Sequence, residues 1–160
     1  MQTNPNQHKH IDDAGYQFIA KWEGKRNAAY LDSVRIPTIG IGFIRYTIGA
    51  RAGRRVKLGD VLLDSEIQAE FTNQIKTYED GVKAVVTVPL TQSQFNACVS
   101  LCYNIGVAAF ARSTVVRRLN ERKYQAACAA FALWNKAGGR VIKGLSNRRA
   151  AEQKEFFRHG

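Results

Sequence analysis

The run Trp22-Glu23-Gly24-Lys25-Arg26-Asn27-Ala28-Ala29-Tyr30-Leu31-Asp32-Ser33-Val34-Arg35-Ile36-Pro37-Thr38-Ile39-Gly40-Ile41-Gly42 changes texture within a few residues. Upstream, Phe18, Ile19 and Trp22 follow helical spacing from about Ile11, with Asp12 or Asp13 as the cap and Gly24 as the stop. Downstream, Tyr30, Val34, Ile36, Thr38, Ile39, Ile41, Phe43, Ile44 and Tyr46 are β-branched, aromatic or strand-forming, and Gly and Pro punctuate them. Pro37 cannot donate to a ladder, so its strand is predicted to be an edge or irregular there. A helix end followed at once by a returning hairpin can carry Glu23, Asp32 and Thr38 to the walls of one cleft. Two carboxylates facing a gap are what cleavage of a glycosidic bond requires. Glu23, beside Trp22 at the end of an apolar helical face, suits the proton donor, since desolvation favours its neutral form. Asp32, in a polar loop, suits the ionised partner. Taken singly, Glu23 reads as a surface charge and Asp32 as a turn residue. The Gly40–Gly42 pair lacks the third glycine of a dinucleotide fingerprint.

Beyond this block the period is helical. Ile67, Phe71, Ile75, Tyr78, Val82 and Val85 step by three or four, which predicts one long amphipathic helix over about 65–86. Thr91-Gln92-Ser93-Gln94 has the spacing of a capping box and opens a helix with Phe95, Cys98, Leu101 and Cys102 on its buried stripe. Gly106 closes it. Further helices are predicted near 113–120, 124–135 and 145–157, the last one basic, with a turn at Gly138-Gly139. Residues 1–10 are polar and read as a flexible tail, in which His8 and His10 are solvated rather than metal ligands. The fold expected is α+β and mainly α. A small β-hairpin lobe over about 24–63 is joined by the long helix to a helical lobe over about 90–160, in one domain from residue 11 to 160 with the cleft between the lobes.

The 160 residues carry 24 Lys and Arg against 13 Asp and Glu, a formal charge of +11. That balance favours polyanions, nucleic acid, acidic membrane surfaces or cell wall, without choosing among them. The cations fall in three groups: Arg45, Arg51, Arg54, Arg55 and Lys57; Arg117, Arg118, Arg122 and Lys123; and Lys143, Arg148, Arg149 and Lys154. Three cysteines make no disulfide framework, and Cys98 and Cys102 read as small core residues. No apolar signal core opens the chain, and the uncharged stretch 84–111 is too interrupted to span a membrane.

The motifs together resemble those of the phage-type lysozymes, the endolysin muramidases. Glu23, Asp32 nine residues on, Thr38 six further and then Ile39-Gly40-Ile41-Gly42 follow that family's pattern. So do Leu90-Thr91-Gln92-Ser93-Gln94, Asn104-Ile105-Gly106, Ala109-Phe110-Ala111-Arg112-Ser113, Trp134 to Gly139 and Gly144 to Arg149. The resemblance runs from about Ile11 to Phe157. It implies hydrolysis of the β-1,4 bond between N-acetylmuramic acid and N-acetylglucosamine in peptidoglycan, leading to host lysis. Glu23 would be the general acid, Asp32 would position or deprotonate the attacking water, and Thr38 would hold that water. Ile44, Tyr103, Asn104, Ser113 and Trp134 are the substrate-contact candidates, each with a packing role as its alternative. No cofactor and no metal are expected; the lack of zinc-finger spacing, an RNA-recognition signature and helix-turn-helix grammar argues against a nucleic-acid partner, and one domain with one cleft suggests a monomer. The resemblance implies storage in the host cytoplasm without an anchor, release through a separate holin-like pore and action on the periplasmic wall, and the basic final helix adds contact with anionic envelope surfaces as an expectation. Two departures stand out: Phe43 replaces the family's usual His, and Cys128 stands six residues before Trp134 where a relative has Asn. The competing readings are a non-catalytic basic module for cell wall or nucleic acid, and a lytic transglycosylase.

Overall fold

A computed structural model describes residues 3–158. Seven helices and four short strands are formed among them: α1 (Asp13–Glu23), β1 (Arg26–Leu31), β2 (Pro37–Gly40), α2 (Asp64–Val85), α3 (Gln92–Ile105), α4 (Val107–Ala111), α5 (Thr114–Asn120), α6 (Tyr124–Ala130), β3 (Lys136–Ala137), β4 (Arg140–Val141) and α7 (Lys143–Phe156). The chain is mainly α with a small antiparallel hairpin. It divides into two compact units, one of residues 17–76 and one of residues up to 16 and from 77 onward, with the divisions inside α1 and α2.

In the unit of residues 17–76, β1 and β2 pair antiparallel, with Tyr30 opposite Thr38 and Leu31 opposite Pro37. Pro37 is the first residue of its strand in a two-stranded sheet, where its missing N–H leaves no gap in a ladder. The rest of the predicted β lobe is held by isolated bridges, Ala28 to Val61, Ile39 to Phe43 and Arg45 to Arg55. Ile19, Ile39, Ile41, Phe43, Val56 and Leu62 form its core with Ile67, Phe71 and Ile75 of the first turns of α2. Gly40 has φ +65°, and a Cβ there would lie 2.4 Å from the Phe43 ring. Phe43, where the family pattern has His, is therefore the fully buried floor under the glycine turn.

In the other unit α3 is buried from Ser93 to Cys102 and packs against α7. The predicted capping box is complete: Thr91 Oγ1 accepts from Gln94 N at 3.1 Å, and Gln94 Oε1 accepts from Thr91 N at 2.9 Å. Gly106 ends the helix at φ +94°, and α4 follows it at once as a short helix the pattern did not mark. Three expectations are corrected here. Residues 3–10 of the supposed tail are docked: Asn6 is fully buried, donates to Val88 O at 2.8 Å and Val86 O at 3.4 Å, and accepts from Leu90 N at 3.0 Å. Met1 and Gln2 lie outside the described residues. The helix predicted over 124–135 stops at Ala130 and tightens into a 3-10 turn, Phe131–Leu133, after which Trp134 leaves helical geometry at ψ 57°. Finally, Arg148 and Arg149, placed above in the third group of cations, are not surface charges open to a polyanion. Both are buried on α7 around the buried Glu152, with Arg149 Nε 2.7 Å and Arg148 Nε 3.3 Å from its carboxylate. Burial pushes that carboxyl up from its ordinary range, and the two guanidinium groups oppose the shift.

Candidate active site

Glu23, Asp32, Thr38 and Ile44 all belong to the unit of residues 17–76. Glu23 is the last residue of α1 and is half-buried. Gly24 N–H closes the helix on Ala20 O at 2.9 Å, and its φ of +79° turns the chain into β1 with no side chain to resist it. The neighbouring Trp22 ring packs 6.5 Å from Phe18, with the Lys21 ammonium 6.0 Å from its centroid.

Asp32 opens the five-residue connection between β1 and β2. One carboxylate oxygen, Oδ1, accepts from Val34 N at 2.9 Å and Ile36 N at 2.8 Å. The backbone closes the same loop through Asp32 N to Ile36 O and Arg35 N to Asp32 O. Asp is the residue that does this, because its short side chain reaches amides two and four positions ahead. The consequence is chemical. Oδ1 is fixed by the turn, and Oδ2 is left as a positioned acceptor with no protein donor among the described residues.

Thr38 is 4% exposed in the pair opposite Tyr30. Its hydroxyl donates to Ile36 O at 2.9 Å. A hydroxyl has one hydrogen, so this one can only accept from anything else that approaches it. The loop and the start of β2 therefore each present an acceptor whose partner atoms are already fixed by the backbone.

Ile44 is more than half exposed, immediately after the buried Phe43. The segment it leads into is fastened by Glu70, a buried carboxylate of α2 that the sequence pattern did not single out. Glu70 accepts from Thr47 N at 2.9 Å and from the Thr47 hydroxyl, while Gln74 Nε2 donates to Arg45 O at 2.8 Å. The available signal was a Glu beside the apolar stripe of α2, three residues after Ile67, where a solvated charge is the ordinary expectation.

The remaining candidates lie in the other unit. Tyr103 and Asn104 are half-buried at the end of α3, and Tyr103 packs edge-on to Tyr78 at 4.8 Å. Trp134 is half-buried, and its carbonyl accepts from Arg149 Nη1 at 3.3 Å. Ser113 is 2% exposed; its hydroxyl donates to Phe110 O at 2.7 Å and accepts from Val116 N at 3.3 Å as the cap of α5. That cap accounts for its hydroxyl. Cys128 is buried, and its backbone carbonyl accepts from Gln153 Nε2 at 2.9 Å. No helix among the described residues is long and apolar enough to cross a membrane.

The profile of the phage lysozyme family matches residues 20–152. The chain is similar to the endolysin of Salmonella phage P22, 41% identical over 128 residues that make up 80% of this chain and 85% of that one. It is also similar to the endolysin of Bacillus phage PZA, 37% identical over 148 residues, 91% of this chain; it spans about half that relative's length, 54%. Among solved structures, the endolysin of the Escherichia coli O157:H7 phage FAHEc1 superposes with a TM-score of 0.87 at 32% identity, covering 96% of each chain. The chain belongs to the phage lysozyme family. It is a lysozyme-type glycosidase of the endolysin kind, with the lysozyme fold that its mainly helical architecture and small hairpin indicated.

Proposed function

We propose that the chain hydrolyses the β-1,4 bond between N-acetylmuramic acid and N-acetylglucosamine in peptidoglycan, with Glu23, Asp32 and Thr38 as its catalytic residues. The observation that carries the reading is the divided carboxylate of Asp32, one oxygen consumed by two backbone amides and the other open. In the reaction Glu23 gives its proton to the departing glycosidic oxygen, so the leaving sugar departs as a neutral alcohol. A water held by the Asp32 Oδ2 and Thr38 Oγ1 acceptors loses a proton toward Asp32 as its oxygen bonds to the anomeric carbon. Thr38 supports this assignment because its own hydrogen is occupied, so the water must donate to it. Ile44, Tyr103, Asn104 and Trp134 remain the candidates for contact with the glycan. The chain works as a monomer, reaches the wall through a separate holin-like pore, and uses its positive charge to speed encounter with an anionic polymer at low salt.

The deciding experiment is mass spectrometry of the soluble products from purified peptidoglycan, with wild type beside Glu23→Gln. Reducing muropeptides from wild type and at least a hundredfold less from a folded Glu23→Gln protein are expected, since general acid catalysis contributes about 10²–10⁴ in rate. Anhydro products would mean a transglycosylase and would remove water, and with it Asp32, from the mechanism. No products from either protein would leave a wall-binding module.

A further inference from the structure

Among the described residues only two that are not glycine adopt positive φ, Arg35 at 64° and Arg122 at 60°. Arg122 has a local reason. It follows α5, where its N–H bonds Leu119 O at 2.8 Å, and a left-handed residue is the usual way to end a helix. Arg35 has one too: its N–H closes the hairpin loop on Asp32 O at 2.9 Å, so the turn sets its backbone but does not call for an arginine there. It sits in the loop from Asp32 to Ile36, three residues after the carboxylate that directs the water, in a conformation that glycine, asparagine or aspartate adopts more readily. Its side chain gives the fold nothing in return: the residue is exposed, and the guanidinium has no hydrogen bond or ion pair among the described residues. Its neighbours Val34 and Ile36 are 69% and 41% exposed. The loop that carries Asp32 thus holds out an unpartnered cation between two uncovered apolar side chains, at a backbone position that disfavours the residue present.

We infer that Arg35 is a specificity-determining residue, reading a carboxylate of the acidic stem peptide that hangs from the glycan. This rests on the muramidase reading above. The occupant follows from the chemistry of that polymer. The lactyl carboxyl of each substituted muramic acid is spent in an amide bond, so the anionic charge lies on the stem peptide, which also carries methyl groups suited to Val34 and Ile36. A guanidinium pairs with such a carboxylate through two parallel N–H donors.

The test uses intact sacculi and the same sacculi after their stem carboxylates have been amidated with carbodiimide and ammonia. Initial rates of reducing-end release are measured against sacculus concentration for wild type, Arg35→Gly and Arg35→Lys. Glycine suits the backbone, so Arg35→Gly removes the side chain without straining the loop and is expected to melt no lower than wild type. On native sacculi Arg35→Gly should raise KM about twofold to fivefold, the size expected of one solvent-exposed charged contact, with kcat within about 1.5-fold. Arg35→Lys should fall between. On amidated sacculi the wild-type advantage should shrink toward one. An equal KM ratio on both substrates, no change in KM, or a loss confined to kcat overturns the inference. If wild type itself releases no reducing ends from native sacculi, the muramidase reading fails first, and the wild-type arm alone reveals it.

Discussion

Replacing Asp32 separates its two jobs. In Asp32→Asn the side-chain carbonyl still accepts from Val34 N and Ile36 N, so the turn stays, and an amide replaces the open oxygen. That amide donates where the carboxylate accepted. A water at the site would be turned the wrong way round and could not lose its proton there. The loss expected is that of a general base, about 10²–10⁴ in kcat, or about 3–5 kcal/mol of transition-state stabilisation. The fold should hardly notice: charged acceptors become neutral ones in a half-exposed loop, which costs at most about 0.5 kcal/mol and about 1–2 °C in Tm for a chain of this size. Asp32→Ala is as inactive but also loses both turn bonds. The freed amides can find water, so the cost is about 1–2 kcal/mol, or about 3–6 °C. Asp32→Glu keeps the charge and moves it by one methylene, a displacement of order 1 Å, which is enough to cost about 10² in rate. The assay is release of reducing ends from purified sacculi, beside a thermal melt of each variant. An Asp32→Asn enzyme within tenfold of wild type would refute the water-directing role. An Asp32→Asn protein as unstable as Asp32→Ala would refute the turn.

Three further outcomes follow from the same geometry. Asn6→Ala should cost about 2–4 kcal/mol in urea denaturation, because it leaves Leu90 N and Val88 O buried without partners; a change under about 0.5 kcal/mol would mean the segment is not docked in solution. Asp12 and Asp60 are both held below the usual carboxylate range. In Asp12 burial works upward and is outweighed by the Gly15 amide, the Asn96 side chain and Arg158; in Asp60 the Lys57 amide and then the Tyr46 hydroxyl lower it. A depressed folded pKa contributes stability above the unfolded value of about 3.9 and loses it as pH falls through the folded one. The melting temperature should therefore stay level from pH 7 to about 5 and drop below about pH 4, and Asp12→Asn should shallow that drop; an unchanged acid slope in Asp12→Asn would contradict the assignment. Burial pushes the thiols of Cys98 and Cys102 up, the latter to about 12, so neither should react with a thiol reagent at pH 8 until the protein unfolds, and rapid labelling of the native protein would show these helices to be open.

The parts of the molecule legible in its sequence are those whose partners lie close along the chain. The capping box at Thr91 and Gln94 is a contact across three residues, and the stripe Ile67, Phe71, Ile75 and Val82 is set by the period of a helix. The Asp32 turn likewise needs only the amides of Val34 and Ile36, so a spacing argument could reach it. Asn6 illustrates the opposite case. Nothing in a polar decapeptide announces burial, because the groups that hold it, the carbonyls of Val86 and Val88 and the amide of Leu90, are some eighty residues away in a link that cannot satisfy them itself. Arg148 and Arg149 misled for a related reason. A count of cations treats each as solvated, whereas Glu152, four and three residues on, lies one helical turn away, and Ser100 on α3 adds its carbonyl to Arg148 Nη2 at 3.1 Å. The Glu at that spacing was the signal, and burial against α3 is what turned a surface pair into a core network. Arg35 follows the same logic in reverse: its residue type is ordinary, and only the distance between the paired Leu31 and Pro37 forces the left-handed turn on it. The acceptors proposed to direct the water were therefore readable from local pattern, while the charge proposed to choose among substrates became visible only as an unusual residue at a left-handed backbone position.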